Sequence, residues 1–257
     1  MSPPSDPDDR PSLTVRRLGR QGDGIAGAVF VPRTLPGEIV TGDIDGERLA
    51  DPKIVTPSPD RVTPPCPHYR RCGACALQHA SDAFVAHWKI ETVRDALARA
   101  GLSPRIEAIE TSPPGTRRRT ALAGRKTKKG ATVGFHVARG TDIVAIPDCR
   151  VLAPAILAAL PALEAITRFG APRGVEIGLH VTATGTGLDL TVTDAKPVDP
   201  AALAPLATTF ARVTWNGEPA LQEGPPVLRL GRAPVTPPPG AFLQATTQGE
   251  AALVAGL

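Results

Sequence analysis

Apolar and polar positions alternate with a period of two in three separate stretches. Val133, Phe135 and Val137 are interleaved with Thr132, Gly134 and His136; Val175, Ile177, Leu179 and Val181 form a second series, and Leu188, Leu190 and Val192 a third. That period belongs to strands with one face buried, and Thr184–Gly187 supplies a turn between the second and third. Elsewhere the spacing lengthens to three or four: Ala86, Ile90, Val93, Leu97 and Ala100 mark one helix face, with Ser81 or Asp82 as cap and Gly101 and Pro104 as stop. A second helix is predicted from about Pro154 to Phe169, since proline is tolerated in a first helical turn. A last helix begins near Gln248. Near the N-terminus, short β-prone runs at 13–16, 29–31, 38–44 and 54–56 are punctuated by Gly22, Gly24, Gly27, Pro36 and Gly37, the pattern of a small antiparallel barrel.

These elements predict an α+β chain. Residues 1–11 read as a disordered leader, 12–60 as a β-barrel, 61–104 as a cysteine loop and helix, 105–235 as an α+β domain on an antiparallel sheet, and 236–257 as a linker opening into a further domain. Composition adds that the chain folds: of 257 residues, 42% are hydrophobic and 21% charged. The opening residues are neither a signal nor a transit peptide, and the most apolar stretch, 151–166, carries Pro154, Pro161 and Glu164 and falls short of a span. A cytoplasmic monomer without a membrane segment is expected.

Charge is distributed unevenly along the chain. The net +4 conceals a −3 over residues 1–60, a +9 over 61–150 and a −2 over 151–257. Arg117, Arg118, Arg119, Arg125, Lys126, Lys128, Lys129 and Arg139 place eight positive charges in 23 residues without one carboxylate. Such a field suits a polyanion, because each phosphate neutralised releases counterions; a solvated basic loop is the alternative.

Four cysteines complete the chemistry. Cys66, Cys72 and Cys75 form C-x5-C-x2-C, and Cys149 follows much later. A tight loop of three thiolates plus one from elsewhere closes a four-ligand site for an iron–sulfur cluster or zinc; structural zinc more often uses two short knuckles, and buried unliganded thiols are the remaining possibility. Committing all four to a metal leaves no thiol for nucleophilic catalysis.

The run from Pro64 to His79, PPCPHYRRCGACALQH, resembles the iron–sulfur loop of the bacterial RNA 5-methyluridine methyltransferases that modify 23S ribosomal RNA, with Cys149 in the position of that family's fourth ligand. Residues 12–60, with GDGI at 22–25, VFVP at 29–32 and LPGE at 35–38, look like its TRAM domain, an OB-like RNA-binding barrel. Arg117–Cys149 looks like its central RNA-binding domain. The passages WNGE at 215–218 and PPGAFLQ at 238–244 are similar to those preceding its catalytic domain.

The resemblance implies a 4Fe-4S cluster on Cys66, Cys72, Cys75 and Cys149, and an S-adenosylmethionine contact at Gln244 with Phe242 beside the cofactor or target base. It further implies RNA, 23S rRNA above all, as partner. In that family a cysteine adds to C6 of a flipped uracil and activates C5 for methylation. Neither that cysteine nor a D-L-x-C-G-x-G cofactor loop occurs here. The chain is therefore expected to carry the N-terminal portion with the Rossmann-like domain essentially absent, no catalytic residue, and binding without methyl transfer. The alternative is a stand-alone iron–sulfur or zinc RNA-binding protein without enzymatic activity.

Overall fold

The computed structural model describes residues 12–256, so the leader expected over 1–11 lies outside the described residues. The chain divides into two compact units. One comprises the described residues up to Pro65 with Cys75–Ile109, the other Cys66–Ala74 with the chain from Glu110 onward.

The first unit holds β1 (Leu13–Thr14), β2 (Arg17–Leu18), β3 (Gly24–Ala26), β4 (Val29–Val31), β5 (Ile39–Thr41), β6 (Ile44–Asp45), β7 (Arg48–Leu49), β8 (Lys53–Thr56) and helix α1 (Asp82–Arg99). In place of the expected single antiparallel barrel, the strands form two sheets, β1-β5-β8 and β2-β3-β4-β7-β6, and β4 meets β7 in parallel at Phe30 and Arg48. Strands of two to four residues, cut by glycine and proline, are too short to sustain one continuous ladder. Val15, Ala26, Val31, Val40 and Leu49 fill the space they enclose. Gly24 is obligatory there, because a Cβ would lie 2.1 Å from Thr34 Oγ1 and 2.8 Å from Val15 Cγ1.

A buried carboxylate closes this unit. Glu38 accepts from the amides of Leu35 (2.9 Å) and Ser58 (3.1 Å) and from Arg61 Nε (2.5 Å) and Nη2 (2.8 Å), so its charge is compensated. Helix α1 starts as predicted, with Ser81 Oγ accepting from the Phe84 amide at 3.2 Å. None of its residues is buried.

The second unit contains β9 (Arg119–Lys126), β10 (Ala131–His136), β11 (Ile143–Ala145), α2 (Pro154–Ala158), α3 (Leu160–Gly170), β12 (Glu176–Thr184), β13 (Gly187–Thr193), a 3-10 turn (Pro200–Leu206), β14 (Phe210–Trp215), β15 (Glu218–Gln222), β16 (Leu228–Leu230), β17 (Ala233–Val235) and α4 (Thr247–Ala255). Seven strands form one sheet in the order β11-β10-β9-β12-β13-β14-β15. The antiparallel sheet expected from the sequence is corrected to a mixed one, since β13 and β14 run parallel. The physical reason is the crossover through residues 194–209, whose 3-10 turn returns the chain to the same edge from which β13 started; parallel neighbours need a connection of this length.

The predicted helix over 154–169 is two helices. Pro161 lacks an amide hydrogen and cannot extend α2, so α3 restarts with Pro161 in its first turn. Leu160, Leu163 and Ile166 of α3 cover the sheet, meeting Ile177, Leu179, Val181, Leu190 and Val213 in one core. Every residue of β14 is buried, as a strand covered on both faces requires. Its Arg212 is neutralised by Asp189 of β13 through two hydrogen bonds, 2.9 and 2.7 Å, and also donates to the Pro237 carbonyl at 2.9 Å.

The register gives this sheet two distinct ends. Arg119 of β9 lies opposite Thr182 of β12, near the 184–187 turn. Lys126 lies opposite Ala131 and next to the Arg125–Glu176 pair. Seven residue-to-residue steps along β9 take the chain from Arg119 to Lys126, about 23 Å at ~3.3 Å per step.

Candidate functional site

The Arg119 end gathers chain from four parts of the second unit. The Arg117 amide donates to the Val151 carbonyl (3.0 Å), and Ala153 donates back to Arg117 (2.9 Å), tying the start of β9 to the segment after Cys149. The Arg118 amide donates to the Ala245 carbonyl (2.8 Å), and Ala183 donates to Arg118 (2.7 Å). Cys72 forms a bridge to Val137 beyond the end of β10, and Gly73 donates to the His136 carbonyl at 2.8 Å. Gly73 allows this approach, since a Cβ there would sit 2.8 Å from the Ala138 nitrogen.

Segment 242–250 is held against this end by side chains. Arg118 Nε donates to the Gln244 carbonyl at 3.3 Å, and its Nη2 bonds the Glu250 carboxylate. Thr246 caps α4 through the Gly249 amide (3.0 Å) and shares a 2.6 Å hydrogen bond with Ser112. The Arg119 guanidinium lies 5.4 Å from the centroid of the Phe242 ring, within cation–π range, and that ring is 77% exposed. The result is a pinned segment presenting an open aromatic face, beside a half-buried Gln244, along a basic edge.

The eight basic residues singled out by the sequence do not form one patch. Arg117 is exposed and Arg119 half-buried at one end. Arg118 is committed to Glu250, with side chains only 11% and 19% exposed. Arg125 donates to Glu176 (3.1 Å) and the Thr141 carbonyl (2.9 Å), and Glu176 also holds His136. Lys126, Lys128 and Lys129 are exposed on the β9–β10 turn at the opposite end, and Arg139 is exposed in the β10–β11 turn with φ of 58°. Glu250, Glu176 and the Asp189–Arg212 pair are absent from the sequence-based set. No local spacing announces them, because their partners lie 132, 51 and 23 residues away.

All four cysteines are half-buried. Cys66, Cys72 and Cys149 belong to the second unit and Cys75 to the first; Cys72 and Cys149 pack against the same apolar core. Within the loop, His68 Nε2 is buried with no hydrogen-bond partner among the described residues. Thiol donors suit a soft metal or an iron–sulfur cluster, and an orphaned imidazole nitrogen beside them suits an acceptor such as a sulfide. Among the described residues, however, no three His, Cys, Asp or Glu side chains are arranged to hold a metal ion. No helix among them is long and apolar enough to cross a membrane.

No protein-family model matches the chain. It is similar to an RNA methyltransferase of Caulobacter vibrioides, with 42% identity over 260 residues covering 94% of this chain and 62% of that protein. An RNA methyltransferase of Brucella suis is 36% identical over 95% of this chain and 61% of its own length. The 23S rRNA (uracil(1939)-C(5))-methyltransferase of Halomonas elongata is 33% identical over 65% of this chain. Among solved structures, the tRNA (uracil-54, C5)-methyltransferase of Pyrococcus abyssi, in complex with S-adenosyl-L-homocysteine, superposes with a TM-score of 0.70 at 19% identity, over 95% of this chain and 64% of that one. The chain thus spans about three fifths of the length of the first two relatives.

The expectation that a Rossmann-like domain is essentially absent does not hold. With 95% of the chain lying within the fold of a uracil-C5 methyltransferase, and its largest sheet mixed, the methyltransferase fold is not essentially absent from the chain.

Proposed function

We propose that the chain acts in S-adenosylmethionine-dependent methylation of RNA at uracil C5, and that the Arg119 end of its sheet is where RNA and cofactor meet it. The supporting observation is the pinned segment 242–250, held to the basic start of β9 through Arg118. Bound S-adenosylmethionine supplies an electrophilic methyl group. The chain's own contribution is binding and orientation. Gln244 offers an amide donor and acceptor from a fixed backbone, and Phe242 offers a π face for an adenine or a splayed base. Arg117 and Arg119 neutralise phosphates, with Arg119 also steadying the Phe242 ring.

Cys66, Cys72, Cys75 and Cys149 are proposed as ligands of a 4Fe-4S cluster, on the strength of their spacing, their thiol chemistry and the buried His68 nitrogen. No step of the reaction runs through it. Iron and acid-labile sulfide in anaerobically purified protein support this assignment; zinc without sulfide refutes it.

The functional reading is tested by titrating S-adenosyl-L-homocysteine and a uridine-containing stem-loop into the protein. Saturable binding of both is expected, with the cofactor analogue lost in Gln244→Ala and RNA weakened in the paired variant Arg117→Ala/Arg119→Ala. Binding of neither contradicts it.

A further inference from the structure

We propose that the Lys126–Lys129 turn is a second RNA phosphate contact, separate from the Arg119 end, so that the substrate is an RNA long enough to bridge both. The inference rests on the reading of the protein as one that acts on RNA, and the structure adds a division the charge run does not disclose.

Three observations carry it. Lys126, Lys128 and Lys129 are exposed on a tight turn closed by the Thr127 amide donating to the Gly130 carbonyl at 2.9 Å, so they protrude from a rigid two-stranded base. Their charges are available: the nearest carboxylate by register, Glu176, is occupied by Arg125 and His136, and none of the three lysines has an ion-pair partner among the described residues. Asp194, at the same end, lies two strands away from β9. Arg173, exposed and three residues before β12, adds a positive charge to this end. Finally, β9 fixes the separation. A strand hydrogen-bonded on both sides, as β9 is to β10 and β12, cannot shorten, so the lysines stand about 23 Å from Arg119 and cannot serve the same phosphates.

Lysine on a turn is a compact, hydrated point charge that neutralises phosphate without reading base edges. The turn therefore acts as an anchor that raises affinity for extended or folded RNA and leaves short RNA unaffected.

The test compares the protein with two variants, Lys126→Ala/Lys128→Ala/Lys129→Ala and Arg117→Ala/Arg119→Ala. The probes are fluorescein-labelled stem-loops, one extending well past the ~23 Å separation and one shorter than it. For the lysine variant, affinity for the long RNA falls about tenfold, and its log–log salt slope falls by about 2 to 3, with the short RNA unchanged. The arginine variant weakens both. A lysine variant equal to the unmodified protein on long RNA, while the arginine variant still loses binding, overturns the second contact alone. Failure of the unmodified protein to bind either RNA overturns the functional reading as well. Unchanged circular dichroism of the lysine variant is expected, because all three side chains are exposed.

Discussion

Arg118 and Glu250 stand 132 residues apart in the chain and form an ion pair that ties the residue before the interior strand β9 to the first turn of α4. The pair is mostly shielded from water, so it is stronger than a surface bridge but leaves an uncompensated charge if either member is lost. Replacing Arg118 with Ala, or Glu250 with Gln, is expected to cost about 2 kcal/mol locally. Hydrogen exchange of the α4 amides should accelerate in both single variants. A double-mutant cycle should then show a coupling energy above about 0.5 kcal/mol.

A second pair tests the buried sheet. Arg212→Ala leaves Asp189 charged between two covered faces and is expected to destabilise by about 3 to 5 kcal/mol, a fall in Tm of roughly 10 °C. Replacing both, Asp189→Leu with Arg212→Met, removes the charges together and should recover most of that loss in thermal denaturation. A single variant as stable as the parent would show that the pair contributes nothing.

Close approach of backbones makes a sharper prediction at Gly134. A Cβ there would lie 1.8 Å from the Val144 carbonyl oxygen, an atom fixed by the β10–β11 ladder. Gly134→Ala must therefore separate the two strands. It is expected to lower Tm by more than an unhindered alanine exchange such as Gly130→Ala, whose Cβ meets nothing within 4 Å.

Acid should loosen the first unit in two stages. Burial and the nearby Arg61 charge push His79 from 6.5 down to about 4. The native state holds it neutral, so its contribution is complete above about pH 6.5 and is lost as pH falls toward 4, on the order of 3 kcal/mol. Burial pushes the Glu38 carboxyl up, but the bond from Arg61 and the amides of Leu35 and Ser58 outweigh it and hold it below 4.5. Its contribution is lost only below that value. Urea midpoints measured between pH 7 and 4 should decline, and His79→Gln should flatten the upper part of that decline.

Much of this architecture is legible in the sequence wherever one face of an element meets water. The alternation at 175–181 and 188–192 became β12 and β13, joined by the predicted turn, and Ser81 caps α1 as read. β9 is different, because Arg119, Arg125 and Lys126 mask a strand whose Leu122, Ala123 and Gly124 are buried. β14 is hidden for the opposite reason: buried on both faces, it has no alternation to detect, and its parallel pairing depends on a crossover with no local signal. The site divides likewise. Phe242, Gln244 and the Arg117–Arg119 run stand out as residues, whereas Glu250 and Glu176, which decide which arginines are available, are found only through tertiary pairing.

RNA is proposed to engage the Arg119 end of the sheet, beside the segment held by Arg118. Photocrosslinking of a 4-thiouridine-labelled stem-loop, with the attached peptides mapped by mass spectrometry, tests it most directly. Crosslinks are expected in the peptides containing Arg117–Arg119 and Phe242–Gln244, abolished by competing unlabelled RNA. Crosslinks confined to α1 or to β15, with none at those two segments, would contradict it.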